Sequence, residues 1–232
     1  MSNEYEFKVI MVGDAGIGKT TMIASLMGDP LPHTYVQTQG TKVSNYVTEY
    51  RGKKVTLKLW DLSGGDTYRT YVAGCFGGAH AAIIGYSMTD SETLLHLRDW
   101  HDMMKNVYDI NGPDSFESLQ KVVVGFKCES KVVTVSSSQG EDCAKSLNCP
   151  YFEATKVDDK SYKDILWKIL DALFARTSVK DRNKEKLYSE RKNTPRVVDD
   201  DPSQPLLNKN KAAPPQEKQT PSICGCGSCV IS

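Results

Sequence analysis

Eight consecutive residues, Gly13-Asp14-Ala15-Gly16-Ile17-Gly18-Lys19-Thr20, match the pattern GxxxxGK[ST]. Glycines at these positions let the backbone curl with its N–H groups turned inward around phosphate oxygens. The Lys19 ammonium then reaches the β and γ phosphates of a nucleoside triphosphate, and the Thr20 hydroxyl can ligate Mg²⁺. The helix-prone run from Thr21 to Met27 follows at once, so the positive end of a helix adds to the anion site. A second element, Trp60-Asp61-Leu62-Ser63-Gly64, closes an apolar run downstream. A carboxylate at Asp61 can hold a Mg²⁺-bound water, and Gly64 can offer its backbone N–H to a terminal phosphate. Between the two lies Tyr35-Val36-Gln37-Thr38-Gln39-Gly40, in a Pro-punctuated loop.

These groups work only if strands and helices hold the loops together. Short β-type runs alternate with helical ones through residues 1–178, the signature of an α/β domain. Glu6 to Val12 reads as a first buried strand. Lys42 to Tyr50 and Val55 to Leu62 flank Arg51-Gly52 as a hairpin, and Ala81 to Ser87, Lys121 to Gly125 and Tyr151 to Ala154 are further strands. Thr89 with Glu92 reads as a capping box ahead of Leu94, Leu97, Trp100, Met104 and Val107 at helical spacing. Tyr162, Ile165, Leu166, Ile169, Leu170 and Leu173 form a second apolar stripe. Trp100, Trp167, Met103 and Met104 are assigned to packing. His33, His80, His96 and His101 show no pairing that suggests ligands or a triad, and His33, His96 and His101 read as surface residues.

Composition narrows the function classes. The 29 Lys and Arg of the 232 residues balance 29 Asp and Glu, which argues against a whole-chain appetite for nucleic acid. No run approaches the roughly 20 apolar residues of a membrane-spanning helix, and the polar start MSNEYEF supports neither a secretory signal nor N-myristoylation. Cys75, Cys128, Cys143 and Cys149 read as ordinary thiols of a reducing compartment. After about Thr177 prolines crowd in and aromatics end at Tyr188, so residues 179–232 read as a disordered tether. It ends in Cys229-Val230-Ile231-Ser232, a prenylation box whose terminal Ser favours farnesyl. One lipid anchors only marginally, and Cys224 and Cys226 are palmitoylation candidates for the second signal. A metal site at these three cysteines lacks a nearby fourth ligand.

Over residues 6 to about 175 the chain resembles the Ras superfamily of small GTPases, in its Rab branch. YVQTQG resembles the first switch with its TIG, WDLSGGDTYRT resembles WDTAGQERFRT, GGAH from Gly77 to His80 resembles RGAH, and AKSLNCPYFEAT resembles the stretch before the SAK loop. The resemblance implies a three-layer P-loop domain with a six-stranded, mostly parallel sheet and helices on both faces. It also implies a cycle in which a GTP form recruits effectors and a GDP form releases them. It gives Thr38 the roles of Mg²⁺ ligand and γ-phosphate sensor. It makes residues 28–43 and 62–76 the switches, which would meet effectors, an exchange factor and a GTPase-activating protein, and His80 a packing position. The implied setting is vesicle traffic, on the cytoplasmic face of endomembranes or the plasma membrane, with a cytosolic pool.

The departures from the family pattern fall at the nucleotide. Gly65 stands where the family keeps the Gln that orients the attacking water, with Asp66 after it, so the sequence predicts hydrolysis that is slow or partner-dependent and that Gly65→Gln raises. The guanine-reading NKxD is Phe126-Lys127-Cys128-Glu129. Lys127 keeps a stem for the purine and Glu129 a carboxylate, but Phe126 lacks the amide. The SAK loop aligns as Thr155-Lys156-Val157, and the aromatic that covers the nucleotide aligns near Leu31. Either base selection is weakened, or the substitutions are neutral in a working guanine site, with an aromatic at 126 packing beside the loop as a spacer. The alternative function is a pseudo-GTPase, a lipid-anchored binding module locked in one state.

Overall fold

The structure, a computed structural model, describes residues 4–31, 35–110, 113–127, 132–155 and 160–176. Glu129, Lys156, Cys128, His33 and the tail with Cys224, Cys226 and Cys229 lie outside these residues.

Six strands form one sheet in the order β2-β3-β1-β4-β5-β6: β1 Glu4–Val12, β2 Thr41–Tyr50, β3 Lys53–Leu62, β4 Ala81–Ser87, β5 Gln120–Lys127 and β6 Tyr151–Thr155. Every neighbouring pair is parallel except β2 with β3, which run antiparallel through a turn at Arg51 and Gly52. Arg51 and Gly52 both take positive φ, 50° and 71°, as a tight two-residue hairpin turn demands. The expected six-stranded, mostly parallel sheet is present.

The central strands are apolar throughout because both faces are covered. Phe7, Val9 and Met11 of β1 face one cluster with Ile165, Leu166, Ile169 and Leu170 of the last helix, α7, residues 160–176. Ile10 and Val12 face the other, with Leu97, Trp100 and Met104. Alternation within a continuous apolar run therefore sorts residues between two cores rather than between core and water.

The helices are α1 Lys19–Met27, α2 Arg69–Gly74 after a 3₁₀ turn at Asp66–Tyr68, α3 Ser91–Leu95, α4 Leu97–Asp109, α5 Pro113–Ser118, α6 Ser137–Ser146 and α7. Several sequence expectations are corrected here. Asp90, not Thr89, caps α3 by accepting from the Glu92 N–H, while the Thr89 hydroxyl bonds Ser87. The single helix expected from Thr89 onward is two, meeting at His96. Trp167 is 40% exposed, its ring set against Tyr50 at 5.3 Å, because the stripe of α7 turns it to the flank of the core. The packing assignment holds for Trp100 and Met104, which are fully inside, and for Met103, half-buried against the same cluster. His101 is tucked edge-on against Phe116, so it is not a surface residue.

Candidate functional site

The order β3-β1-β4 makes the sheet reverse its direction of growth beside β1, and ligands of open α/β sheets gather at such a point, beyond the carboxyl ends of the strands. The loop after β1, the end of β3 and the first-switch loop all meet there. Register places Asp61 of β3 opposite Met11 of β1, just ahead of the glycine loop. Gly13, Gly16 and Gly18 have φ of 135°, 76° and 118°, and a side chain at Gly13 would collide with the Gly85 carbonyl of β4. At Gly13 the loop is pressed so closely on the sheet that only glycine fits, while at Gly16 and Gly18 it is the positive φ that favours glycine.

Helix α1 opens on Gly18 with no side-chain cap and no acid in its first turn. By contrast, α6 carries a complete capping box, Ser136 with Gln139. A helix whose first-turn N–H groups are left to other acceptors is suited to an anion.

A cleft of about 210 Å³ is lined by Ala15, Gly16, Gly18, Lys19, Thr20, Thr21, Thr38 and Gly64, together with Tyr35, Val36 and Gln37. Lys19 is 6% exposed, and its Nζ donates to the carbonyls of Gly13 at 2.7 Å and Asp14 at 2.6 Å. Burial lowers its pKa to about 8 against the pull of Asp61 and Asp14. The Thr20 hydroxyl donates to Asp61 Oδ2 at 2.7 Å and stands 3.0 Å from the Thr38 hydroxyl, which reaches the same oxygen at 3.4 Å. Asp61 is 2% exposed, and burial raises its carboxyl pKa against the opposing bonds from Thr20 and Thr38 and the Lys19 charge. Its second oxygen, Oδ1, is buried with no hydrogen-bond partner. An orphaned carboxylate oxygen beside two converging hydroxyls fits a hard, oxygen-seeking cation such as Mg²⁺ with its waters. The metal set Thr20, Thr38 and Asp61, read from motif and resemblance, is thus assembled in one place. Gly64 lies against the backbone of Asp14 and Gly13, with no room for a side chain.

An adjoining pocket of about 200 Å³ is lined by Gly16, Ile17, Gly18, Thr21, Ser87, Thr89, Phe126, Lys127, Ala154 and Tyr162. Phe126 is 4% exposed and belongs to the core cluster with Ile17 and Met22. It packs its ring under the glycine loop, the spacer role left open by the sequence. Lys127 and Thr155 are register partners at the ends of β5 and β6. Of the base-reading positions, Glu129 and Lys156 lie outside the described residues.

Three residues escaped the sequence reading. Tyr35 sets its ring over Gly16, 3.7 Å from where a side-chain carbon there would stand. Its signal was an aromatic three positions ahead of Thr38. The second is Gln37. The third is His96, which is not unpaired: its Nδ1 lies 2.6 Å from Asp14 Oδ2, while Trp100 Nε1 donates to Asp14 Oδ1 at 2.8 Å. No pattern in the sequence links 96 to 14, because the contact is made at the α3–α4 break.

The hydrogen bond to Asp14 raises the His96 pKa against a lowering by burial, with Arg69 opposing and Asp99 assisting. A folded-state pKa above the unfolded one means that the ion pair contributes stability fully below about pH 6.5. That contribution is lost as pH rises through the raised value. The gap in melting temperature between the wild type and His96→Gln should be wide at pH 5.5 and narrow at pH 8.5. A gap that does not change with pH would sink this assignment.

A glycine loop, a buried lysine and a hydroxyl–carboxylate cluster at a sheet's switch point define a P-loop nucleotide-binding protein. The model of the Ras family matches residues 8–175, and the chain belongs to that family. It is 28% identical to the Ras-related protein SEC4 of Saccharomyces cerevisiae over 160 residues, 69% of this chain and 71% of that one. It is also 29% identical to the GTP-binding protein YPTM1 of Zea mays over 158 residues, 67% and 73% of the two chains. With the Ras-related protein Rab-3 of Caenorhabditis elegans the identity is 27% over 225 residues, 96% and 91%. These similarities put it in the Rab-like branch.

Proposed function

We propose that this protein is a Rab-like GTP/GDP switch in vesicle traffic, anchored through its C-terminal cysteines and slow in intrinsic GTP hydrolysis. The observation that carries the reading is the convergence of Thr20, Thr38 and the partnerless Asp61 Oδ1 beside the buried Lys19. Mg²⁺, when bound, would neutralise phosphate charge, held by Thr20 and Thr38, with Asp61 accepting from its water. The chain's own groups then have distinct tasks. Lys19 exchanges the carbonyls of Gly13 and Asp14 for phosphate oxygens, and the uncapped start of α1 and the Gly64 N–H meet the phosphate chain. The Lys127 stem lies along the purine, with Phe126 supporting the loop and Glu129, Thr155 and Lys156 left to read the base edge. In the reaction, the water oxygen attacks the γ phosphorus in line as the bond to the β–γ bridging oxygen breaks. The electron pair stays on GDP, and the proton of the water leaves with inorganic phosphate.

The switches that sense this step are joined. The Ser63 N–H donates to the Gly40 carbonyl at 2.9 Å, and the Tyr71 ring packs on Gly40, so movement of Thr38 is communicated to 62–76. Those two segments are the proposed surface for effectors, an exchange factor and a GTPase-activating protein.

The test uses the full chain, expressed in eukaryotic cells. Extracted nucleotide should be GDP or GTP, exchange should be fast in chelator and slow in Mg²⁺, and Cys229→Ser should move the protein from membranes to the cytosol. A site that co-purifies empty, or that holds all bases equally weakly, would favour the non-enzymatic scaffold instead.

A further inference from the structure

Position 65 lacks a side chain, yet the space for one is filled. Gly65 sits at φ −81° and ψ 143°, an extended conformation open to any residue, so the backbone does not require glycine. A Cβ built there would collide with the side-chain amide nitrogen of Gln37, whose Cδ lies 3.5 Å away, with the Ser63 hydroxyl at 3.8 Å. Gln37 immediately precedes Thr38 and lines the same cleft as Lys19, Thr20 and Gly64. The first switch therefore brings a carboxamide against the backbone from which a side chain at 65 would project.

We propose that Gln37 is the water-orienting residue of this protein, supplied from the first switch in place of a side chain at 65. The inference rests on the hydrolytic reading of the site. A carboxamide can accept from one partner through its oxygen and donate to another through its nitrogen. Those are the two bonds needed to hold a water that gives up its proton beside a γ-phosphoryl oxygen. A Cβ at 65 would displace the Gln37 amide, the far end of an exposed and flexible side chain, so glycine there leaves the amide its place. Gln37 is on the mobile side of the switch cycle, so its amide is in place only when Thr38 is. Water orientation and γ-phosphate sensing then depend on a single segment.

The experiment is a double-mutant cycle on the full-length protein loaded with Mg²⁺ and GTP. Gln37→Ala should slow single-turnover phosphate release about tenfold or more, as expected for loss of a positioning contact. Its affinity for GDP should stay within about twofold. Gly65→Gln alone should change the rate little, in place of the increase the sequence by itself predicts, whereas added to Gln37→Ala it should restore the rate, the non-additivity expected of residues sharing one space. A second readout needs no turnover: the affinity for Mg²⁺, GDP and aluminium fluoride together should fall in Gln37→Ala by the same factor as the rate. Gln37→Ala that hydrolyses like the wild type, or Gly65→Gln that accelerates equally in both backgrounds, overturns the inference while leaving the switch reading intact. Wild-type protein that binds no guanine nucleotide overturns both.

Discussion

Lys19→Ala should bind GDP and GTP at least about a hundredfold more weakly than the wild type while remaining folded. Hydrogen bonds from an ammonium to charged oxygens contribute about 1.5–3 kcal/mol each, and 1.4 kcal/mol is tenfold in Kd. Without phosphate, the ammonium has the carbonyls of Gly13 and Asp14 and the charges of Asp61 and Asp14 to offset its burial, and its pKa is about 8. The sign of the pH dependence follows. Between about pH 8 and the unfolded value of about 10.5 the unfolded chain binds more protons, so the nucleotide-free protein gains stability from this group as pH rises. Phosphates stabilise the charged form, so binding above pH 8 must take up a proton and affinity must decline there. A titration of GDP at pH 7 and pH 9 should show this decline in the wild type and not in Lys19→Ala. Equal affinities for the two proteins at pH 7 would remove Lys19 from the site.

The glycine loop and the strands were legible because their signals are local. A short, near-continuous apolar run flanked by turn residues points to a covered strand, and a GxxxxGK[ST] turn between strand and helix points to a loop that curls around an anion. The cluster of Thr20, Thr38 and Asp61 was legible in its membership, since resemblance named Thr38 and motif context named the other two. The contacts that were not legible are those made across the fold. His96 reaches Asp14 only because α3 and α4 break between them, and the break itself has no Gly or Pro to announce it. The cap of α3 was misread by one residue because Ser, Thr and Asp all compete for that place, and Thr89 is drawn off by Ser87. The α2 and α5 helices are six residues each, too short for a period to show, and the Ser136 and Gln139 pair that caps α6 was a signal the sequence reading passed over. At position 65 the sequence showed a missing side chain. It could not show that the side chain of residue 37 fills the gap.

Phe126→Ala should be the most destabilising change at the nucleotide end, by about 3–5 kcal/mol, the cost of a buried Phe truncation that leaves its cavity behind. The ring is 4% exposed. Its Cγ lies 3.5 Å from where a Cβ at Gly18 would stand, and its Cε2 lies 2.6 Å from the corresponding point at Gly85. Phe126 therefore fills the gap between the glycine loop and β4, and Gly85 is small so that it can. For a domain of this size each kcal/mol moves the melting temperature by about 2–4 °C, so calorimetry should register a drop of roughly 10 °C. Gly85→Ala should destabilise on its own, because the new methyl meets Phe126 and Ile17 Cδ1, the latter at 2.9 Å. In the Phe126→Ala background the same methyl enters the cavity, so its cost should shrink or reverse, which separates packing from any general intolerance of the loop. If the ring acts through packing, Phe126→Leu should keep most of the stability and leave the preference for GDP over ADP unchanged. A Phe126→Leu protein of near wild-type stability whose base preference collapsed would instead make the ring a reader of the base. Specificity would then lie on β5 rather than in the loops beyond it.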